Sequence, residues 1–223
     1  GQVKRDFDIN PYSYALNTSR ALDPYTFYHA NYAPFNILNE LENNKIGINV
    51  LNTKFQAELA YKPINDLRLS VIGAVQYDTS TQEHNITEHA NQAQAYRAMD
   101  NALIRDANSY LYKDPTNAYA LPISVLPSGG FYHKTDLQKI SWDIRATANY
   151  NHTFDHTHAL NVLGGLDVSN VDRKRTFFNG VGMQYDGGEI PFYIYEFFKK
   201  NIDDNAVYYS LNNTYNRTAA FFA

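Results

Sequence analysis

The stretch from Leu137 to Ser169, LQKISWDIRATANYNHTFDHTHALNVLGGLDVS, constrains the fold more than any other part of the chain. Counting from Ile140, every second residue is Ile140, Trp142, Ile144, Ala146, Ala148 and Tyr150, and the alternate set is Ser141, Asp143, Arg145, Thr147, Asn149 and Asn151. Successive side chains of an extended chain point to opposite faces, so the spacing predicts a strand with one apolar and one polar face. After the polar NHTFDHTH the alternation resumes, with Leu160, Val162, Gly164, Leu166 and Val168 against Asn161, Leu163, Gly165, Asp167 and Ser169. Two strands about a short turn form a hairpin. What covers its apolar face decides what the chain does.

A second hairpin lies upstream. Phe55, Ala57, Leu59 and Tyr61 alternate with Lys54, Gln56, Glu58 and Ala60; KPIND turns the chain; Leu67, Leu69, Val71, Gly73, Val75 and Tyr77 then alternate with Arg68, Ser70, Ile72, Ala74, Gln76 and Asp78. The apolar sets of all four strands carry no charge, whereas the polar sets hold Lys54, Glu58, Arg68, Asp78, Asp143, Arg145 and Asp167. Between the hairpins run longer, irregular segments. Residues 79 to 136 include a helix expected within EHANQAQAYRAMDNALIRDANSYLY, followed by the Pro- and Gly-rich KDPTNAYALPISVLPSGGFYH; residues 170 to 205 form another such loop. The first 50 residues, with Pro11, Pro24 and Pro34, read as a third.

Tight turns at one end of the strands and long loops at the other match a transmembrane β-barrel, as do aromatics at both ends of the apolar face. Tyr61 and Tyr150 lie beside the tight turns; Tyr77 and Trp142 lie toward the loops. Strands of roughly 9 to 11 residues cross a bilayer, and these are long enough. Composition agrees, since 15% aromatic residues coexist with a mean hydropathy of -0.49, a pairing that suits alternating strands and polar loops. No apolar run reaches the length of a spanning helix. A net charge of -4 without a basic stripe argues against nucleic acid as a partner, and the absence of Cys excludes disulfides and thiolate metal sites.

Several loop phrases, in this order, resemble the barrel region of SusC/RagA-type TonB-linked outer-membrane proteins: NPYSYALNTSRA, YAPFNILNELENN, AQAYRAMDNALIRDANSYLYKDP, LPSGGFY, HALNVLGGLDVS and GVGMQYDGGEIPF. The resemblance extends over residues 1–223 and implies part of an all-β, antiparallel transmembrane barrel with long extracellular loops. Such transporters close a barrel of about 22 strands around a plug. It further implies a Gram-negative outer-membrane location and active import of oligomeric nutrients, glycans or peptides, without catalysis or cofactor. The partners it implies are outer-membrane lipid, a SusD-like surface lipoprotein and the TonB complex. The chain has no initiator Met and closes on NRTAAFFA in mid-strand, so an excerpt lacking the plug and remaining strands is expected.

Loop aromatics are the candidate ligand-binding groups, because flat rings stack on sugar faces or pack on peptides: Tyr110, Tyr112, Phe131, Tyr132, Phe192, Tyr193 and Tyr195. Arg68, Asp143, Arg145 and Asp167 are expected to line the barrel lumen. Other constellations are weaker. His152, His156 and His158 lie on a tight turn where polar residues belong anyway, and no metal is assigned to them. The acid pairs Asp203/Asp204 and Asp186/Glu189 lack any feature separating an acid from a base role. Ser128-Gly129-Gly130 lacks a GxSxG frame, and the Gly-rich GVGMQYDGG lacks the Lys-Ser/Thr of a phosphate loop. The rival architecture is a secreted or surface β-sandwich that grips glycans, in which the apolar face meets a second sheet rather than lipid.

Overall fold

The computed structural model describes Leu16, residues 36–155 and residues 158–223. In chain order the elements are α1 (Ile37–Asn43), β1 (Asn44–Ile64), β2 (Leu67–Ile86), α2 (Asn91–Ala95), α3 (Ala102–Ala107), β3 (Leu111–Tyr112), β4 (Ile123–Ser124), β5 (Gly130–Phe154), β6 (His158–Gln184), β7 (Ile190–Pro191), α4 (Tyr195–Asp203) and β8 (Tyr209–Phe222). Among the described residues the protein is mostly antiparallel β-sheet. The main sheet runs β1-β2-β5-β6, with β7 and β8 both pairing with β6, while β3 and β4 form a separate ribbon. No pairing joins β1 to β8, so the described strands form an open sheet.

Both hairpins are present, and their strands outrun the apolar alternation. β5 has 25 residues and β6 has 27, about 80 and 90 Å at roughly 3.3 Å per residue. That far exceeds the roughly 30 Å of a bilayer's hydrocarbon. Consequently 79–86, 130–136 and 170–184, expected as loop, are strand. Backbone ladders form whatever the side chains are, so polar segments such as TSTQEHNI extend a strand without an apolar stripe. The helix expected within 88–112 is instead two short ones. Asn101 interrupts it by accepting the Ile104 N–H at 2.9 Å, an N-cap that restarts the helix. Residues 37–50, expected as loop, are helix and strand, with Asn36 capping α1 through the N–H groups of Leu38 and Asn39.

The chain divides into two compact units. A loop unit contains residues up to Gly47, Glu83–Lys134 and Phe178–Tyr209; a strand unit contains Ile48–Gln82, Thr135–Phe177 and Ser210–Ala223. In the strand unit, side-chain contacts fix which residues share a face. Arg68 pairs with Glu58 from β2 to β1 at 3.8 Å, Ser70 bonds Thr147 from β2 to β5 at 2.6 Å, and Arg145 Nε bonds Asp167 from β5 to β6 at 2.9 Å. All six residues belong to the polar sets. The polar sets therefore form one continuous face, and alternation puts the apolar sets on the other. That apolar face is open: Leu69 is 37% exposed, Val71 45%, Ile144 47% and Val162 50%. At its loop end Tyr77 accepts a hydrogen bond from Gln138, and beyond that pair the same face turns polar.

The loop unit has a conventional core of Ile86, Ala90, Ala93, Tyr112, Val125, Leu126, Phe131, Val181 and Phe197. Its loops are tied down by polar hubs. The Arg97 guanidinium donates to the carbonyls of Glu88, Leu126 and Gly129. Asn39 donates to the His89 carbonyl, and Glu40 accepts the Asn91 N–H at 2.7 Å. Two glycines permit close backbone approach: a Cβ on Gly130 would lie 1.9 Å from the Ile86 carbonyl oxygen, and one on Gly182, at φ +75, 1.8 Å from that of Phe192. Both Gly-rich phrases thus have a packing explanation.

Candidate functional site

In the loop unit, four elements converge on a cavity of about 360 Å³. Phe131 and His133 are two apart at the start of β5, and Asn179 and Val181 two apart near the end of β6, so each pair projects to one face of its strand. Phe197, Lys200, Asn201 and Asp204 follow the spacing that aligns residues along one side of a helix, here α4 and its C-terminal cap. Gln92, Tyr96, Ser109 and Tyr110 come from the segment between β2 and β5.

The aromatic wall is ordered. Tyr96 and Tyr110 stack with ring centroids 4.4 Å apart, and Phe131 meets Tyr96 edge-on at 4.8 Å. His133 stacks on Phe131 at 5.7 Å. Burial and the neighbouring His84 hold the His133 imidazole below its ordinary value, and the Asn179 side chain opposes this. Burial raises the Tyr96 phenol, with Tyr110 and Asp204 adding to the shift. Lys200 and Asp204 form an ion pair at 3.1 Å.

Two polar atoms stand out. Asn179 Oδ1, an acceptor, and Asn201 Nδ2, a donor, are buried without a hydrogen-bond partner. Leaving such groups unsatisfied costs about 1–3 kcal/mol each. Aromatic faces beside amide donors and acceptors can bind a neutral, hydroxyl-rich ring.

Of the seven aromatic candidates, Tyr110 and Phe131 line this cavity. Tyr112 is core, 7% exposed, with the Lys199 ammonium 5.8 Å from its ring centre. Tyr132 alternates away from Phe131 and donates to Glu83 at 2.6 Å, in a second cavity with Tyr185 and Glu189. Tyr193 packs against Phe197, Phe198 and Tyr208, and burial pushes its phenol up to about 12. Phe192 and Tyr195 are exposed, the latter beside the Lys199 ammonium at 4.7 Å. Sequence reasoning missed Tyr96, His133, Asn179, Phe197 and Asn201. The signals that could have found them are the i, i+2 pairs at the strand ends and the i, i+3, i+4, i+7 stripe in FFKKNIDD.

Arg68, Arg145 and Asp167 lie on the polar face through the contacts already given, and Asp143 joins them by alternation. His152 Nδ1 is bonded to Asp66 Oδ2 at 2.7 Å, and His156 lies outside the described residues. Asp186 pairs with His89 at 2.8 Å. Comparison of the chain with protein-family models and with curated proteins finds no match.

Proposed function

We propose that this chain is a segment of a larger transmembrane β-barrel, that of a SusC/RagA-type, TonB-dependent importer in the Gram-negative outer membrane. It takes up oligosaccharides, works beneath a SusD-like lipoprotein and performs no catalytic step. The observation that carries the reading is the strand unit's segregated faces. Three cross-strand contacts gather the polar sets on one side, and the uncharged set opposite is left open. An apolar sheet face of this extent is unfavourable in water and suited to lipid. A glycan-binding sandwich would cover Leu69, Val71, Ile144 and Val162 with a second sheet; among the described residues these side chains are exposed. The stacked tyrosines that line the loop-unit cavity support a sugar as the transported oligomer.

Site-directed labelling of intact cells carrying the full-length protein tests the topology. Tyr119, 96% exposed in the long segment between β2 and β5, should when replaced by Cys react with a membrane-impermeant maleimide. Asn65→Cys, in the turn between β1 and β2, should react only after the outer membrane is opened. Labelling of position 65 but not 119 on intact cells would overturn the orientation and the location of the binding surface with it.

A further inference from the structure

The polar face of the strand unit encloses a second chemistry. A cavity of about 430 Å³ is lined from all five long strands, edge strands β1 and β8 included, so the sheet curls around its polar side. Its charge is unbalanced. Asp78 is the one carboxylate among the lining residues, and it is already occupied. Lys139 Nζ reaches it at 2.9 Å, Gln76 Nε2 at 3.0 Å, and the Asn52 amide also donates to it.

Lys139 is thereby neutralised, while Arg173 and Arg175 are not. Both lie on the face of Asp167, at two-residue spacings along β6, and both line the cavity. Neither has a carboxylate partner among the described residues, and Asp172, one residue before Arg173, alternates to the opposite side. Two residues apart on a strand, their Cα atoms are about 6.6 Å from each other, and Asn212 and Thr214 line the same cavity. Arginine forks match carboxylates bidentately, and a concave wall with an excess of positive charge attracts an anion.

We propose that this cavity binds the carboxylate groups of an acidic, hexuronate-containing oligosaccharide, with Arg173 and Arg175 as its principal contacts. The inference rests on the importer reading above and narrows its substrate class from glycans in general to anionic ones.

The test is calorimetric titration of the intact protein in detergent micelles with tetragalacturonate, its methyl ester, tetraglutamate and a neutral glucose tetramer. Tetragalacturonate should bind at least about tenfold more tightly than its ester, and its affinity should fall as salt is raised. Arg173→Gln with Arg175→Gln should weaken tetragalacturonate about a hundredfold, as expected for losing two charge-assisted contacts, and leave the ester unchanged. Arg173→Lys with Arg175→Lys, which keeps the charge and loses the fork, should give an intermediate loss even where the Gln pair fails to fold. Equal affinity for acid and ester, or salt-independent binding, overturns the proposal. Tetraglutamate binding as tightly as tetragalacturonate overturns the oligosaccharide class. Binding of the glucose tetramer but not of tetragalacturonate sinks this inference alone; failure of every oligosaccharide sinks the importer reading too.

Discussion

The loop unit and the strand unit use apolar residues in opposite ways. In the loop unit, Ile86, Leu126, Phe131 and Phe197 are buried against one another, each at or below 5% exposure. In the strand unit only Ala74 and Asn170 are buried among the described residues, and Phe55, Leu59, Val71 and Ile144 stand open. One unit carries its own core; the other has a face whose solvent must be supplied from outside. The same residue types thus report packing in one place and, in the reading proposed above, a lipid boundary in the other, and only their surroundings tell which.

The largest effect that could break this contrast is in the core. Phe131→Ala should cost the loop unit about 3–5 kcal/mol, transfer and cavity terms together. Leu59→Ala should cost the strand unit about 1–2 kcal/mol, because fluid acyl chains fill the space and only the transfer part is lost. Hydrogen exchange resolved by segment in detergent would compare them, and equal costs would mean that Leu59 packs against protein. Next is Arg97→Met, which strands three carbonyls and should destabilise the loop unit by about 3 kcal/mol, seen as faster proteolysis between Glu88 and Gly129 with no change in exchange at 140–150.

The hairpins were legible because a half-apolar strand writes its period into the sequence. Their extensions were not, since 79–86 and 170–184 carry polar residues on both faces and the ladder that holds them is backbone. The helix within 88–112 misled because its apolar spacing is helical while Asn101 and Asn108, whose side chains bond to nearby backbone, cut it. The loop-unit cavity was half legible: Tyr110 and Phe131 were named from their aromaticity and loop location. Asn179 and Asn201 matter only because folding buries them without partners, and no sequence pattern records that.

The smallest expected effect is a difference in pH response. Burial holds His84 and His133 below the ordinary histidine value in the folded loop unit. Below about pH 6.5 the unfolded chain therefore takes up protons that the folded unit refuses. Loop-unit stability should be full above that pH and decline as pH falls toward the folded-state values, with His133→Gln flattening the decline. Proteolytic half-lives from pH 7.5 to 5 would show it, and a loop unit that gains stability on acidification would contradict the neutral, buried assignment.

The central claim, that one face of the strand unit meets lipid, is tested most directly by arginine placed on each face at mid-strand. Ile144→Arg in the full-length protein refolded into bilayers should cost about 2–4 kcal/mol, the penalty for a cation near the bilayer midplane. Thr147→Arg, three residues along β5 on the polar face, should cost only about 1 kcal/mol, for its hydrogen bond to Ser70. A large cost at 144 beside a small one at 147 is the predicted result; equal costs, or a larger one at 147, would contradict the lipid-facing assignment.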